Sequence, residues 1–164
     1  MNYVDNSLLQ DEKVLYKATI TRYIYIRGTI VFILGVLLSA RANDALRFIG
    51  TTEDIYVFAL FHLYLSLSVA VIGIVLLVRA FIARATTELA VTSKRIIAKY
   101  GFFTRKTIEL NHNKFESLSV KQGVLGRILN YGTIIIYGTG GGKSPIKNID
   151  APLKFREETV RATE

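Results

Sequence analysis

The chain has 164 residues, room for one domain or a small domain with an addition, and carries 21 Lys and Arg against 13 Asp and Glu, a net charge of +8. It is 51% hydrophobic with a positive mean hydropathy of +0.34, so apolar and charged residues must be segregated along the sequence. Zero cysteines exclude disulfides, thiolate metal sites and a cysteine nucleophile, and Asp5, Asp11 and Glu12 ahead of the first apolar run argue against a secretory signal peptide.

Within residues 1–22 the segment EKVLYKATI alternates, with Val14, Tyr16 and Ala18 on one face as in a half-buried strand. Tyr23–Ala40, YIYIRGTIVFILGVLLSA, is the first candidate membrane helix. Arg27 can snorkel to the interface there, and Tyr23 and Tyr25 suit the headgroup belt. Ile55–Val78 is 24 residues without Lys, Arg, Asp or Glu, longer than the ~20 that a spanning helix needs. A transmembrane hairpin over 23–82 is therefore expected, with helices near 23–40 and 55–79. The loop 41–54 carries two basic and three acidic residues, against four basic in 1–28 and fifteen from Arg79 onward. Because basic residues stay on the cytoplasmic side, both termini should be cytoplasmic and the loop external. His62 falls within the second helix, where a lone histidine beside Tyr64 most simply hydrogen-bonds a neighbouring helix.

After Arg84 the apolar period shortens. TELAVT, RIIAKYG, TRKTIEL, FESLSVKQ, TIIIYGTG and SPIKNID read as strands separated by turn residues. APLKFREETVRA then reads as a helix, with Asp150 as a candidate N-cap, Pro152 in its first turn, and Leu153, Phe155 and Val160 as a partial apolar face. Six strands and one helix over 83–164 suit a small barrel with one covering helix, and 13–20 is a candidate seventh strand. YGTGGGKSP invites comparison with a phosphate-binding loop. The first required glycine would fall at Tyr137, however, and no long helix follows Ser144.

VTSKRII, Gly101 followed by Arg105-Lys106, Phe115-Glu116-Ser117, GVLGRILNYG over Gly123–Gly132 and the strand ending GTGG resemble the bacterial pleckstrin-homology-like domain family found in small membrane proteins. The resemblance covers nearly the whole chain. It implies an α+β membrane protein: a two-helix hairpin, a strongly bent antiparallel sheet of six to seven strands and a C-terminal helix. It also implies that Gly138, Gly140, Gly141 and Gly142 shape a hairpin or bulge, with Lys143 a solvated loop cation. Family domains of this type are associated with ring-like homo-oligomers.

Little in the sequence suggests catalysis. His112 lies in NHN without a cysteine or carboxylate cluster, and Glu88, Glu109 and Glu116 are dispersed. A non-enzyme without cofactor or metal is expected. From Ala83 onward there are fourteen basic and seven acidic residues, and Lys94, Arg95, Arg105, Lys106, Lys121 and Arg127 at predicted turns are the candidate contacts for anionic lipid or phosphate. Ile134 and Ile136 should face the core, leaving Ile135 and Tyr137 as a candidate self-association face. The expected partners are membrane lipids and a second copy or another membrane protein at the bacterial inner membrane. Nucleic acid is not expected, since no aromatic-interleaved basic motif is present.

Overall fold

The computed structural model describes residues 3–48, 53–102, 104–139 and 141–163. It divides into two compact units: residues 24–81, and a second formed by residues 1–23 together with 82–164.

The first unit is built on α2 (Ile26–Phe48) and α3 (Glu53–Thr86), both longer than expected. Residues 49–52, within the expected external loop, lie outside the described residues. Stretches of both helices are long and apolar enough to cross a membrane, Arg22–Arg41 and Val57–Thr86. Much of their apolar surface is uncovered: Leu37, Phe58 and Phe61 are each at least 60% exposed. Small residues let the two helices meet. A Cβ on Gly28 would stand 2.9 Å from Leu77 Cγ, and one on Gly35 would collide with the Ala70 backbone. His62 makes ring contacts with Phe58 and Phe61 of its own helix.

The second unit opens with α1 (Tyr3–Asn6) and β1 (Val14–Ala18). Beyond the helices follow β2 (Glu88–Thr92), β3 (Arg95–Tyr100), β4 (Lys106–Asn111), β5 (Phe115–Lys121), the short helix α4 (Val124–Ile128), β6 (Tyr131–Gly138), β7 (Gly142–Asp150) and α5 (Pro152–Thr163). The candidate seventh strand exists: β1 pairs antiparallel with β2, Lys17 opposite Ala90 and Ala18 opposite Leu89. Instead of one continuous bent sheet there are two antiparallel sheets, β1-β2-β3-β4 and β5-β6-β7. They meet where the chain after β1 runs along the end of β7. Ile20 bridges Ile149, Thr21 N–H donates to Asn148 O (2.8 Å) and Asp150 N–H to Thr19 O (2.9 Å).

Leu89, Val91, Ile96, Ile134, Ile136, Ile146, Ile149 and Phe155 are buried and form the main core side chains. Ile135 and Tyr137 alternate with Ile134 and Ile136 and are only partly buried, as their spacing required. α5 presents Pro152, Phe155 and Thr159 inward, whereas Leu153 and Val160 are exposed, contrary to the expected face. Asp150 does not cap this helix, because it still belongs to β7. The residue before Pro152 is Ala151, whose carbonyl accepts from Lys154 and Phe155 N–H groups.

The glycine-rich stretch is the β6–β7 hairpin. Gly141, at φ 79°, provides the left-handed turn that L side chains resist, and Gly140 lies outside the described residues. Lys143 belongs to β7 and not to the loop. Its ammonium stands 5.8 Å from the centre of the Tyr137 ring.

Candidate functional site

The best-defined polar site is internal. The segment that contains α1 lies over the outer face of β2 and β3, with Val4 packed on Ala90 and Ile97. The Glu88 carboxylate accepts from Tyr3 and Val4 N–H, both at 3.1 Å, and so meets the exposed donors of the α1 N-terminus. Below it Arg95 binds Glu12 through Nε (3.0 Å) and Nη2 (3.1 Å), Glu109 through Nη1 (2.6 Å) and Ser7 O through Nη2 (2.6 Å). Tyr3 hydroxyl donates to the second Glu109 oxygen (3.0 Å). Burial alone pushes the Glu12 carboxyl up. The Leu9 N–H, the Thr92 hydroxyl and the Arg95 guanidinium outweigh it, and the net pKa lies below the usual carboxylate value.

This changes the standing of Arg95 among the expected anion contacts. Its side chain is only 10% exposed and its guanidinium is fully engaged inside the domain. Lys94, in the β2–β3 turn, donates to Gln10 O at 2.8 Å. Arg105 and Lys106 are exposed in the β3–β4 hairpin at the opposite end of the same sheet, where Gly101 takes φ 96° and any Cβ would strike Thr104 O. Lys121 ends β5 on the other sheet, and Arg127 is in α4. The six residues therefore do not form one site: Arg95 is internal, Lys94 sits in the exposed β2–β3 turn, Arg105 and Lys106 at the β3–β4 hairpin, and Lys121 and Arg127 at α4.

α4 is unusual in what it exposes. Gly126 is its buried residue, placed so closely on the start of β6 that a Cβ would approach Tyr131 O to 2.5 Å. Gln122 Nε2 fastens the turn by donating to Gly126 O (3.2 Å) and Tyr131 O (3.1 Å). Val124, Leu125 and Ile128 are consequently turned outward, 76%, 65% and 72% exposed. A cleft of about 350 Å³ lies beneath, lined by Lys121, Leu125, Gly126, Tyr131, Thr133 and Asn148. A second, of about 360 Å³, includes Thr21, Arg22, Tyr23, Arg84 and Asp150.

Sequence reading missed the N-terminal strap. The available signal was adjacency: Ala90-Val91 and Ile96-Ile97 are apolar on both faces of their strands, a pattern that requires cover on both sides. His112, expected as a plain loop residue, ties the turn after β4 to the end of β2 through Nε2 and Thr92 O at 2.9 Å. Among the described residues no group of three or more His, Asp or Glu side chains could hold a metal.

Among the described residues, seven antiparallel strands in two sheets with one helix closing them make a small α+β fold. The chain belongs to the bacterial PH domain family, whose sequence model matches residues 30–162. Domains of this kind are in general non-catalytic binding modules. The match takes in most of α2 and all of α3, while β1 lies outside it. No curated protein and no solved structure matches the chain.

Proposed function

We propose that the protein is a membrane-anchored binding and assembly module, in which α2 and α3 cross the bacterial inner membrane and the PH domain works at its cytoplasmic face, self-associating or recruiting a membrane-protein partner. The observation that carries this reading is the pairing of β1 with β2. The chain segments before and after the helices share one sheet, so the helices between them must return the chain to the side from which it left. Two helices with largely uncovered apolar surfaces meet that requirement. The excess of basic residues in both flanking segments supports a cytoplasmic location for that side.

The assembly face in this reading is the outward side of β6, with Ile135 and Tyr137. β6 is the central strand of its sheet, so contact there is between side chains and not by strand addition. Confinement to a membrane plane raises the effective concentration of such surfaces.

The cysteine-free chain permits a direct test of topology. Single cysteines placed by Ser7→Cys and Ser144→Cys should resist a membrane-impermeant thiol reagent in intact cells, and one placed by Thr51→Cys should react. Labelling at position 144 would overturn the assignment. Light scattering of the detergent-solubilised chain tests assembly, which requires a mass above that of one chain.

A further inference from the structure

We infer that α4 is a lipid-docking tip, which seats Val124, Leu125 and Ile128 in the headgroup–acyl boundary of an anionic bilayer while Lys121 and Arg127 meet the phosphates. This rests on the membrane-anchored reading above and deepens it by naming what the exposed end of the second sheet touches.

Exposure comes first. A five-residue helix with three large aliphatic side chains at 65–76% exposure has its polarity inverted. The inversion is built in, because Gly126 has no side chain, packs against Tyr131 O, and is held there by Gln122. The apolar knob is therefore presented rigidly, and little ordering cost remains to be met on binding.

Charge selects the occupant. From Ser117 to Ile149, which takes in β5 beyond Glu116, all of α4 and β6 and nearly all of β7, there is no acidic residue, while Lys121, Arg127, Lys143 and Lys147 are all cationic. Lys121 and Arg127 make no ion pair among the described residues. Aliphatic residues flanked by unpaired cations match the interface of an anionic leaflet, where apolar burial and phosphate attraction add. Anchorage supplies proximity, since α3 runs into the domain with one residue between Thr86 and β2. A contact too weak to recruit a free protein is then sufficient.

The chain contains no tryptophan, so Leu125→Trp and, separately, Ile128→Trp give single reporters at exposed positions. The full chain carrying either would be reconstituted into vesicles of phosphatidylcholine with or without phosphatidylglycerol, some with acyl-chain-brominated lipid. The expected result is blue-shifted emission quenched by the brominated lipid in anionic vesicles. Quenching should be largely lost in pure phosphatidylcholine or when Lys121→Glu and Arg127→Glu are added. Alkaline flotation of the same samples reports anchoring independently. Chains that float but stay red-shifted and unquenched overturn the docking alone. Chains that are blue-shifted but unquenched, with a shift that follows protein density, show a second copy on the tip and also overturn it. Chains released from the vesicles at alkaline pH overturn the anchoring and the docking together.

Discussion

Arg95 joins the segment ahead of the helices to the sheet behind them, through Glu12 on one side and Glu109 on the other. Removing one member of a buried, hydrogen-bonded ion pair leaves the other charge uncompensated, at a cost of about 3–5 kcal/mol. Arg95→Ala should therefore lower the stability of the domain by roughly that amount, seen as a lower thermal midpoint. Lys106→Ala, at an exposed site, should change it little. The depressed pKa of Glu12 adds a pH dependence of fixed sign. Its contribution is complete above the ordinary carboxylate value of about 4.3 and is lost as pH falls through the lower folded value. Glu12→Gln should flatten that part of an acid-unfolding curve. Ala151 offers a gain instead. It holds φ 44° without the side-chain amide or carboxylate that eases this conformation at Asn130, Asn148 and Asp11. Ala151→Gly should stabilise by about 1 kcal/mol, measurable by denaturant unfolding. Arg95 also shows the limit of residue-level reading from sequence. A basic residue next to a turn looks the same whether it faces solvent or reaches under a strap, and the carboxylate that claims it is 83 positions away.

Among the elements, the strands follow from local pattern and the sheets do not. The alternation in TIIIYG placed Ile134 and Ile136 inward and Ile135 and Tyr137 outward, as found, because period two is a property of the strand alone. The division into two sheets depends on how the chain bends at His112–Lys114 and where Ile20 meets Ile149, which no short window records. The face of α5 was misread for a related reason: Thr159, not Val160, falls in register with Phe155. Ile134→Lys should unfold the domain, since an unpaired charge in the core costs several kcal/mol. Ile135→Lys should leave it folded and reduce the mass of the solubilised particle. In the helical unit, Gly35→Leu should push α2 from α3 and cost about 1–3 kcal/mol by overpacking, read as a lower midpoint in detergent.

For the molecule as a whole, the domain is discontinuous in sequence, made of residues 1–23 together with 82–164. A fragment of residues 83–164 contains every strand the composition shift suggests, yet it lacks β1, the strap and the Glu12 that engages Arg95. Such a fragment should be poorly folded by circular dichroism and readily proteolysed. Residues 3–23 fused through a flexible Gly/Ser linker to 82–164, replacing both helices, should fold cooperatively. Equal behaviour of the two proteins would show that β1 and the strap are dispensable. The helical runs were legible in advance because 24 uncharged residues need no tertiary context to be noticed. The discontinuous domain was visible only as the alternation in EKVLYKATI, a signal that gives a strand but not its partner.

The pairing of β1 with β2 also bears on how the chain is made. Synthesis at roughly 5–20 residues per second leaves β1 without its neighbour for several seconds, until both apolar helices have left the ribosome and β2 follows. For a chain whose α2 and α3 cross a membrane, insertion precedes folding of the sheet. Any chain that crosses only once strands β1 on the far side, with Arg95 left without Glu12 and the apolar side of Ala90 and Ile97 bare. Such a chain cannot close its domain and presents unfolded sequence to cytoplasmic proteases. In the membrane-anchored reading, the order of strands thus makes domain folding a check on the fidelity of insertion, and mis-inserted copies should be short-lived in pulse-chase measurements while correctly inserted ones persist.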